Sequence, residues 1–260
     1  MLLSVIIPVY NERHTLGTSL VVVARALPKV SKEIIIVEDF SNDGTREWLK
    51  ANFPNGQRSG STVDLDGNGN LAFAQESGPS TVTIRPIYHE RNRGKGAGLQ
   101  TGFTAITGDV LVIQDADEEY DPNDWEQMYN LIALRKVADV VFGSRFYGRP
   151  HRSLYFHHYI ANRTISLLFN LFFNQTLTDI EACYKMMTSP VARSLRLTAN
   201  DFGIEVEMSA EIARQRNLRI YEVGISYFGR TYVEGKKINW RDGMKALWYV
   251  FKFRFRRNAG

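Results

Sequence analysis

An aspartate pair, Asp115-Ala116-Asp117, follows directly on the apolar run Val110 to Gln114. Two carboxylates one residue apart at a strand end can turn oxygens toward a divalent cation whose remaining positions are filled by water and substrate phosphates. Such a cation offsets the charge that grows on a diphosphate leaving group. Glu118, Glu119, Asp121 and Asp124 come next, so a solvated acidic loop is the competing reading. A second group, Val37-Glu38-Asp39, also ends an apolar run and leads into Ser41-Asn42-Asp43-Gly44-Thr45. A carboxylate there can accept hydrogen bonds from a base imide or ribose hydroxyls, and the helix start behind it favours anions. The same stretch also reads as a simple helix cap, and both can hold at once. In the third group, Pro8-Val9-Tyr10-Asn11-Glu12, Tyr10 can cover a base and Glu12 can hold a ribose hydroxyl, against a plain strand-to-helix turn. Three such groups at three strand ends converge on one crevice, and the convergence outweighs each alone.

The elements that must position them are legible as periodicity. Leu3 to Val9 and Glu33 to Val37 are continuous β-branched runs, the pattern of strands buried on both faces of a parallel sheet. Thr15 to Leu27 between them has helical spacing, and a second helix is expected at about Thr45 to Ala51. Strand character returns at Thr81 to Tyr88, Asp109 to Gln114 and Asp139 to Gly143, with helices after Gly94 and over Asn123 to Arg135. This alternation predicts an α/β fold with an open, doubly wound, mostly parallel sheet, whose ligands bind beyond the carboxyl ends of its strands. Residues 55–80 are rich in Gly, Ser, Asn and Asp without a period, and are expected to be an exposed, mobile insertion.

The second half changes texture. Residues 158–173 form an unusually apolar helix interrupted by Asn162 and Arg163, either a core helix or one that touches a membrane. From Lys245 to Arg257 the chain carries Lys245, Lys252, Arg254, Arg256 and Arg257 and no acid, interleaved with Trp248, Tyr249, Phe251, Phe253 and Phe255. The expected organisation is one domain over 1–237 and a peripheral, basic amphipathic helical tail over 238–260. That tail either docks on an anionic membrane or packs its apolar side on the domain.

With 260 residues, 44% hydrophobic and 23% charged, the chain suits one large folded domain with a short appendage. A net charge of +4 fits an anionic ligand or an acidic membrane surface, and nucleic acid is not expected. Cys183 is the sole cysteine, which excludes a disulfide framework and a thiolate zinc cluster and fits a reducing, cytoplasmic setting. It is expected to be a small core residue. Met1 to Val9 lacks the charged start and long apolar core of a signal peptide, and no uninterrupted apolar stretch reaches about 18 residues, so membrane contact is expected to be peripheral. His89, His151, His157 and His158 share no metal-ligand spacing and are expected to be exposed. Arg93-Gly94-Lys95-Gly96 is not a P-loop, because the lysine is followed by glycine and the upstream glycine is missing.

Pro8 to Glu12, Val37 to Asp39 with Ser41 to Thr45, Asn92-Arg93-Gly94-Lys95-Gly96, Asp115-Ala116-Asp117 and Gly143-Ser144-Arg145 occur in an order that resembles the family 2 glycosyltransferases. The set is similar to the dolichol-phosphate mannose and glucose synthase branch, over roughly residues 3 to 237. The resemblance implies a GT-A fold and inverting transfer of a hexose from a nucleotide sugar to a polyprenyl phosphate such as dolichyl or undecaprenyl phosphate. It also implies Mg2+ or Mn2+ as cofactor. It implies that Pro8, Tyr10, Glu12 and Asp39 hold the nucleoside, with Glu38 replacing a more usual Asp, and that Asp115, Ala116 and Asp117 carry the metal and diphosphate. Glu119 stands where the family often has a Gln that reaches the metal. Arg145 and Arg163 match arginines aimed at phosphates. Arg230 and Lys237, in Phe228-Gly229-Arg230 and Gly235-Lys236-Lys237, resemble a segment that closes over the diphosphate, with a solvated basic loop as the alternative. Thr178 to Lys185 replaces an Asp-Pro-x-Ser-Gly-Phe segment, and Phe202 to Glu207 matches a helix start with an acidic residue facing the reaction centre.

Asp117, Arg145 and Glu207 are the expected catalytic residues. A phosphate monoester, with a second pKa of about 6, is already ionised near neutral pH and needs no strong base. A sugar hydroxyl needs a carboxylate to take its proton, for which Glu205 and Glu207 are candidates. A transferase to a sugar hydroxyl of a glycan or glycolipid therefore stays open, as does a catalytically silent nucleotide-sugar-binding module. A nucleotidyltransferase would want a glycine-rich basic loop after the first strand, which Tyr10-Asn11-Glu12-Arg13 does not provide. UDP-glucose, UDP-N-acetylhexosamine and GDP-mannose are all open as donors, and so is a homo-oligomer.

Overall fold

The computed structural model describes residues 1–74, 80–148, 150–153, 155–230 and 240–256. The order begins β1 (Leu3–Val9), α1 (Leu16–Arg25), β2 (Lys32–Glu38), α2 (Thr45–Asn52), β3 (Arg58–Gly60), β4 (Thr62–Leu65), β5 (Leu71–Ala74), β6 (Val82–Tyr88) and α3 (Lys95–Ala105). After β7 (Val110–Ile113), a short turn of helix leads into α4 (Trp125–Tyr129) and β8 (Val140–Ser144). The chain continues through α5 (Phe156–Phe173), β9 (Lys185–Thr188), α6 (Ser189–Ser194), α7 (Ile204–Arg214), β10 (Ile220–Gly224) and α8 (Trp240–Phe255).

The main sheet has the order β10-β8-β9-β7-β1-β2-β6-β3. β6, β2, β1 and β7 run parallel to one another, as do β8 and β10. The β-branched runs in β1, β2 and β7 are buried, as a two-faced parallel sheet requires. Helix α3 lies close on β1 at Gly102, where an added Cβ would stand 2.4 Å from Ile6 Cγ2. The expected mostly parallel sheet is thus present.

β9 departs from the pattern, and both it and β10 matter for function. β9 runs antiparallel to both β7 and β8, pairing Lys185 with Phe142 and Met186 with Val112. Its starting end therefore lies at the carboxyl ends of its neighbours, so the segment 178–185 is delivered to the strand-end crevice. β10 runs parallel beside β8, and its exit brings residues 225–230 to the same end.

The expectation of an exposed, mobile insertion at 55–80 is corrected over 55–74, while 75–79 lie outside the described residues. β3 joins the edge of the main sheet against β6, and β4 and β5 form a hairpin. Val63 and Leu71 are buried, Trp48 Nε1 donates to the Gly69 carbonyl at 3.1 Å, and Leu71 N donates to Asn52 Oδ1 at 2.7 Å. The alternation of a two-residue period in strands of three or four residues is too short to stand out among Gly, Asn and Asp.

Helix α8 is packed into the domain. Val250 and Phe253 are fully buried, Phe172 and Phe251 meet edge to face at 5.1 Å, and Tyr249 lies over Gly203. A side chain at Gly203 would collide with that ring, since an added Cβ would stand 2.1 Å from Tyr249 Cε2. No helix among the described residues is long and apolar enough to cross a membrane.

Leu71→Ala is expected to lower stability by about 2–5 kcal/mol in urea unfolding, the cost of a cavity in a packed site. A loss below about 0.5 kcal/mol would show that the hairpin is an appendage and not part of the core.

Candidate active site

The end of β7 presents Asp115 and Asp117, both partly buried. Asp115 Oδ1 pairs with Lys95 Nζ at 2.8 Å, and Lys95 also lies 3.2 Å from Glu205 Oε1. Lys95 comes from the first turn of α3, so helix start and strand end meet at this ion pair. Burial opposes the Lys95 ammonium, yet Asp115 and Glu205 more than offset it and hold its pKa well above the ordinary value. Asp117 Oδ2 accepts from Arg230 Nη2 at 2.7 Å, and Asp117 Oδ1 accepts from Glu119 N at 3.2 Å. Glu119 Oε1 accepts from the Arg230 backbone N–H at 3.0 Å and from its Nε at 3.1 Å, while Oε2 accepts from Tyr227 Oη at 2.9 Å.

The three expected metal ligands are therefore gathered in one region but do not close on one point. Among the described residues no three His, Cys, Asp or Glu side chains form a metal cage. Glu119 is turned to Arg230 and Tyr227. Burial first, then the charges of Asp115 and Glu119, push the Asp117 carboxyl up to about 7 against the pull of Arg230. This excess of negative charge, carried by hard oxygen donors, fits a divalent ion of the Mg2+ type. Such ions are usually held by one or two carboxylates and completed by substrate phosphates and water.

The first and second strands end beside it. Asp39 is buried and holds the loop before α3: its Oδ1 accepts from Arg93 N at 2.9 Å and its Oδ2 from Gly94 N at 2.7 Å. His89 Nδ1 lies 2.6 Å from Asp39 Oδ1 and its Nε2 lies 2.9 Å from Thr101 Oγ1. His89 is thus buried, not exposed as expected, and it orients Asp39. Glu38 is fully buried and accepts from Ser41 N at 2.5 Å and Arg46 Nη1 at 2.9 Å. Glu12 accepts from Thr15 Oγ1 at 2.8 Å, Pro8 is partly buried, and Tyr10 is 41% exposed. Ala116 is buried between the two aspartates.

Arg145, at the end of β8, grips the fully buried Asp179 with Nε at 2.7 Å and Nη2 at 2.8 Å. Its guanidinium lies 5.3 Å from the centre of the Tyr227 ring, which links it to Glu119. Arg163 is exposed on α5 and donates to the Thr178 carbonyl at 3.3 Å, and among the described residues no contact brings it to the aspartates. Lys237 lies outside the described residues.

The expected role of Glu207 is corrected. Glu207 is fully buried, and its carboxylate accepts from Thr198 N at 2.8 Å, Thr198 Oγ1 at 2.7 Å, Ala199 N at 2.7 Å and Arg256 Nη1 at 2.6 Å. It ties the 198–199 loop and the end of α8 to α7 and has no capacity left for a substrate proton. Glu205, one helical step away, faces the site but is fixed between Lys95 and Lys185, whose Nζ lies 2.7 Å from Glu205 Oε2. The chain Asp115–Lys95–Glu205–Lys185 was not foreseen as a unit. Lys95 lies in Arg93-Gly94-Lys95-Gly96, but only the antiparallel course of β9 reveals that Lys185 backs it. Cys183 is buried as expected and touches Asp115.

Carboxylates and cations gathered at the carboxyl ends of a mostly parallel sheet are the features of folds that bind phosphorylated ligands beyond their strand ends. The sequence profile of the family described as Glycosyl transferase family 2 matches residues 4–64 and 66–196, and the chain belongs to that family. Its relatives include a dolichol-phosphate mannosyltransferase of Pyrococcus furiosus, 31% identical over 147 residues that cover 56% of this chain and 34% of the relative. A dolichyl-phosphate beta-glucosyltransferase of Dictyostelium discoideum is 26% identical over 271 residues, 98% of this chain and 74% of that one. The chain spans only 34% of the Pyrococcus protein and 63% of a Haloferax volcanii glycosyltransferase that it also matches. Among solved structures, glucosyl-3-phosphoglycerate synthase of Mycobacterium tuberculosis, in complex with Mn2+, UDP-glucose and phosphoglyceric acid, aligns with a TM-score of 0.66 at 15% identity. That alignment covers 99% of this chain and 81% of the other, and the shared fold is the GT-A fold that the sequence motifs led us to expect.

Glu207→Ala is expected to cost about 1–3 kcal/mol of stability, because it leaves the partly exposed Arg256 and the donors of Thr198 and Ala199 without their acceptor. Turnover per folded molecule should stay within a few-fold of wild type. An unchanged melting temperature with turnover down more than about 100-fold would return Glu207 to the chemistry.

Proposed function

We propose that the chain is a metal-dependent, inverting hexosyltransferase that moves a sugar from a UDP- or GDP-sugar to a polyprenyl phosphate. The observation that carries the reading is the pairing of Asp115 with Lys95 and of Asp117 and Glu119 with Arg230 at the strand-end crevice. Asp115 and Asp117 would hold Mg2+ or Mn2+, which when bound supplies charge stabilisation for the leaving diphosphate. Arg230 and Lys95, held by carboxylates in this state, would turn to the diphosphate oxygens, so that metal and nucleotide bind as one unit. Tyr10, Pro8, Glu12 and Asp39 would frame the nucleoside. Asp39 acts in part through the backbone of Arg93 and Gly94, which it fixes.

The state of α7 favours a phosphate acceptor over a sugar hydroxyl. Neither of its two carboxylates stands as an unpaired base, since Glu205 is ion-paired with two lysines and Glu207 accepts from four donors. A phosphate acceptor needs no base. The names of the Pyrococcus and Dictyostelium relatives support the same class.

Such an acceptor resides in a bilayer, and the packed helices α5 and α8 offer a surface suited to one. Phe156, Leu167 and Leu171 on α5 and Trp248 and Phe255 on α8 are exposed, beside exposed Lys245, Lys252 and Arg254. We read this face as a peripheral contact with an anionic membrane, on its cytoplasmic side. Because Val250 and Phe253 are core residues, truncating the tail would uncover the core, and substitutions are the sounder test. Trp248→Ser with Phe255→Ser should sharply reduce flotation with vesicles containing anionic lipid while leaving the melting temperature within a few degrees. Flotation that is equal for both proteins would remove α8 from the membrane contact.

Asp117→Ala should abolish incorporation of labelled sugar from a nucleotide sugar into a butanol-extractable product while leaving the fold intact. Retained metal-dependent incorporation in that variant would refute the reading.

A further inference from the structure

Glu181 stands apart from the other acids of the crevice. Asp115, Asp117, Glu119, Asp179 and Glu205 are each bound to a cation, whereas among the described residues Glu181 makes no hydrogen bond and no ion pair. It lies on the turn just before β9, which the antiparallel course of that strand carries to the carboxyl ends of β7 and β8. The turn wraps the buried Lys185, whose Nζ donates to the carbonyls of Ile180 at 3.2 Å and Ala182 at 2.6 Å.

Four charged groups face Glu181: Arg145 from the end of β8, Asp179 from its own segment, Glu205 from α7 and Lys185 from β9. Both cations are already paired, Arg145 with Asp179 and Lys185 with Glu205, so they offset the burial of the ionised acid only in part. Burial then dominates, and the Glu181 carboxyl is pushed up to about 7, Arg145 and Lys185 only partly opposing the shift while Asp179 and Glu205 add to it. The residue is half-buried and still reaches solvent. Beside it, Nη1 of Arg145 makes no hydrogen bond among the described residues, because Nε and Nη2 are the atoms that grip Asp179. Arg145 leads through the Tyr227 ring to Glu119, and Glu205 leads through Lys95 to Asp115. Glu181 is therefore linked through its charged neighbours to Glu119 on one side and to Asp115 on the other.

We propose that Glu181 is the residue that admits the acceptor phosphate, donating a hydrogen bond to it as the neutral acid beside Arg145 Nη1 and repelling it as the carboxylate. The inference rests on the polyprenyl-phosphate reading. An acceptor phosphate oxygen forms the new bond to the anomeric carbon, the bond from that carbon to the donor diphosphate breaks, and its electron pair leaves on the diphosphate. Glu181 keeps its proton throughout. The phosphate's own charge raises the proton affinity of Glu181 further, so the bound pair shares one proton at neutral pH.

The test measures KM and kcat of the full chain for farnesyl phosphate, with farnesol as the matched alcohol, between pH 6 and 9, with Mn2+ and whichever of UDP-glucose and GDP-mannose is turned over. For wild type, KM for farnesyl phosphate should rise by about an order of magnitude between pH 7 and 8.5 as one proton is lost. The acceptor's own second ionisation, near a pKa of about 6, lies below that window. Glu181→Gln, a neutral donor of the same shape, should keep a low KM across the range with kcat within about threefold. Glu181→Ala should show a KM raised several-fold at pH 7 and flat with pH. A wild-type KM that is flat above pH 7, or a pH dependence that survives in Glu181→Gln, overturns the inference while leaving transfer to phosphate standing. Transfer to farnesol instead of farnesyl phosphate, with kcat of Glu181→Gln down by about 100-fold or more, overturns both, since Glu181 would then be a proton acceptor.

Discussion

Mutual repulsion among carboxylates is the constraint around which this end of the molecule is built. Asp115, Asp117 and Glu119 follow one another at the end of β7, and at an effective dielectric near 20 two such charges about 4 Å apart repel by about 4 kcal/mol. Backbone geometry alone would not hold them together. Lys95 neutralises Asp115 from the start of α3, and Arg230 bridges Asp117 and Glu119 from the exit of β10. Each cation depends on distant parts of the fold: Lys95 on the Asp39 clamp that sets the loop before α3, Arg230 on the edge strand paired with β8.

The same reasoning explains why the sheet needs its one reversed interior strand. Were β9 parallel, Lys185 would lie at the opposite end of the sheet, Glu205 would face Lys95 alone, and Arg145 would lose the Asp179 that orients it. The reversal brings Asp179, Glu181 and Lys185 to the crevice, where Asp179 meets Arg145 and Lys185 meets Glu205. Glu181 is left as the group whose protonation the surroundings do not fix. In this account specificity for the acceptor and binding of the donor are built from one ionic lattice.

Much of this was legible in the sequence. Runs such as Val5 to Ile7 and Ile34 to Val37 are continuous because both sheet faces are covered, and such runs announce parallel strands. The three strand-end motifs were legible for the same reason, since each follows a buried run. What was not legible depends on partners far away in the chain. Lys185-Met186-Met187-Thr188 has no strand-like alternation, and its role comes from pairing with residues more than forty positions earlier. Glu205 and Glu207 are two residues apart on one helix. Only three-dimensional packing separates the acid that faces Lys95 from the one that anchors α8. His89 looked like a surface residue until the neighbour of β2 placed it against Asp39.

If the carboxylate cluster is a metal–diphosphate site, metal and nucleotide must each strengthen the other's binding, because the cation removes the repulsion and the diphosphate takes up Lys95 and Arg230. The direct measurement is the thermal shift of the wild-type chain with UDP or GDP, with Mn2+, and with both together. A ligand that binds the native state raises the melting temperature by an amount that grows with the logarithm of its concentration over its Kd. The account predicts a shift for the pair that clearly exceeds the sum of the two separate shifts for at least one nucleotide. Nucleotide shifts that are the same in Mn2+ and in EDTA would contradict it.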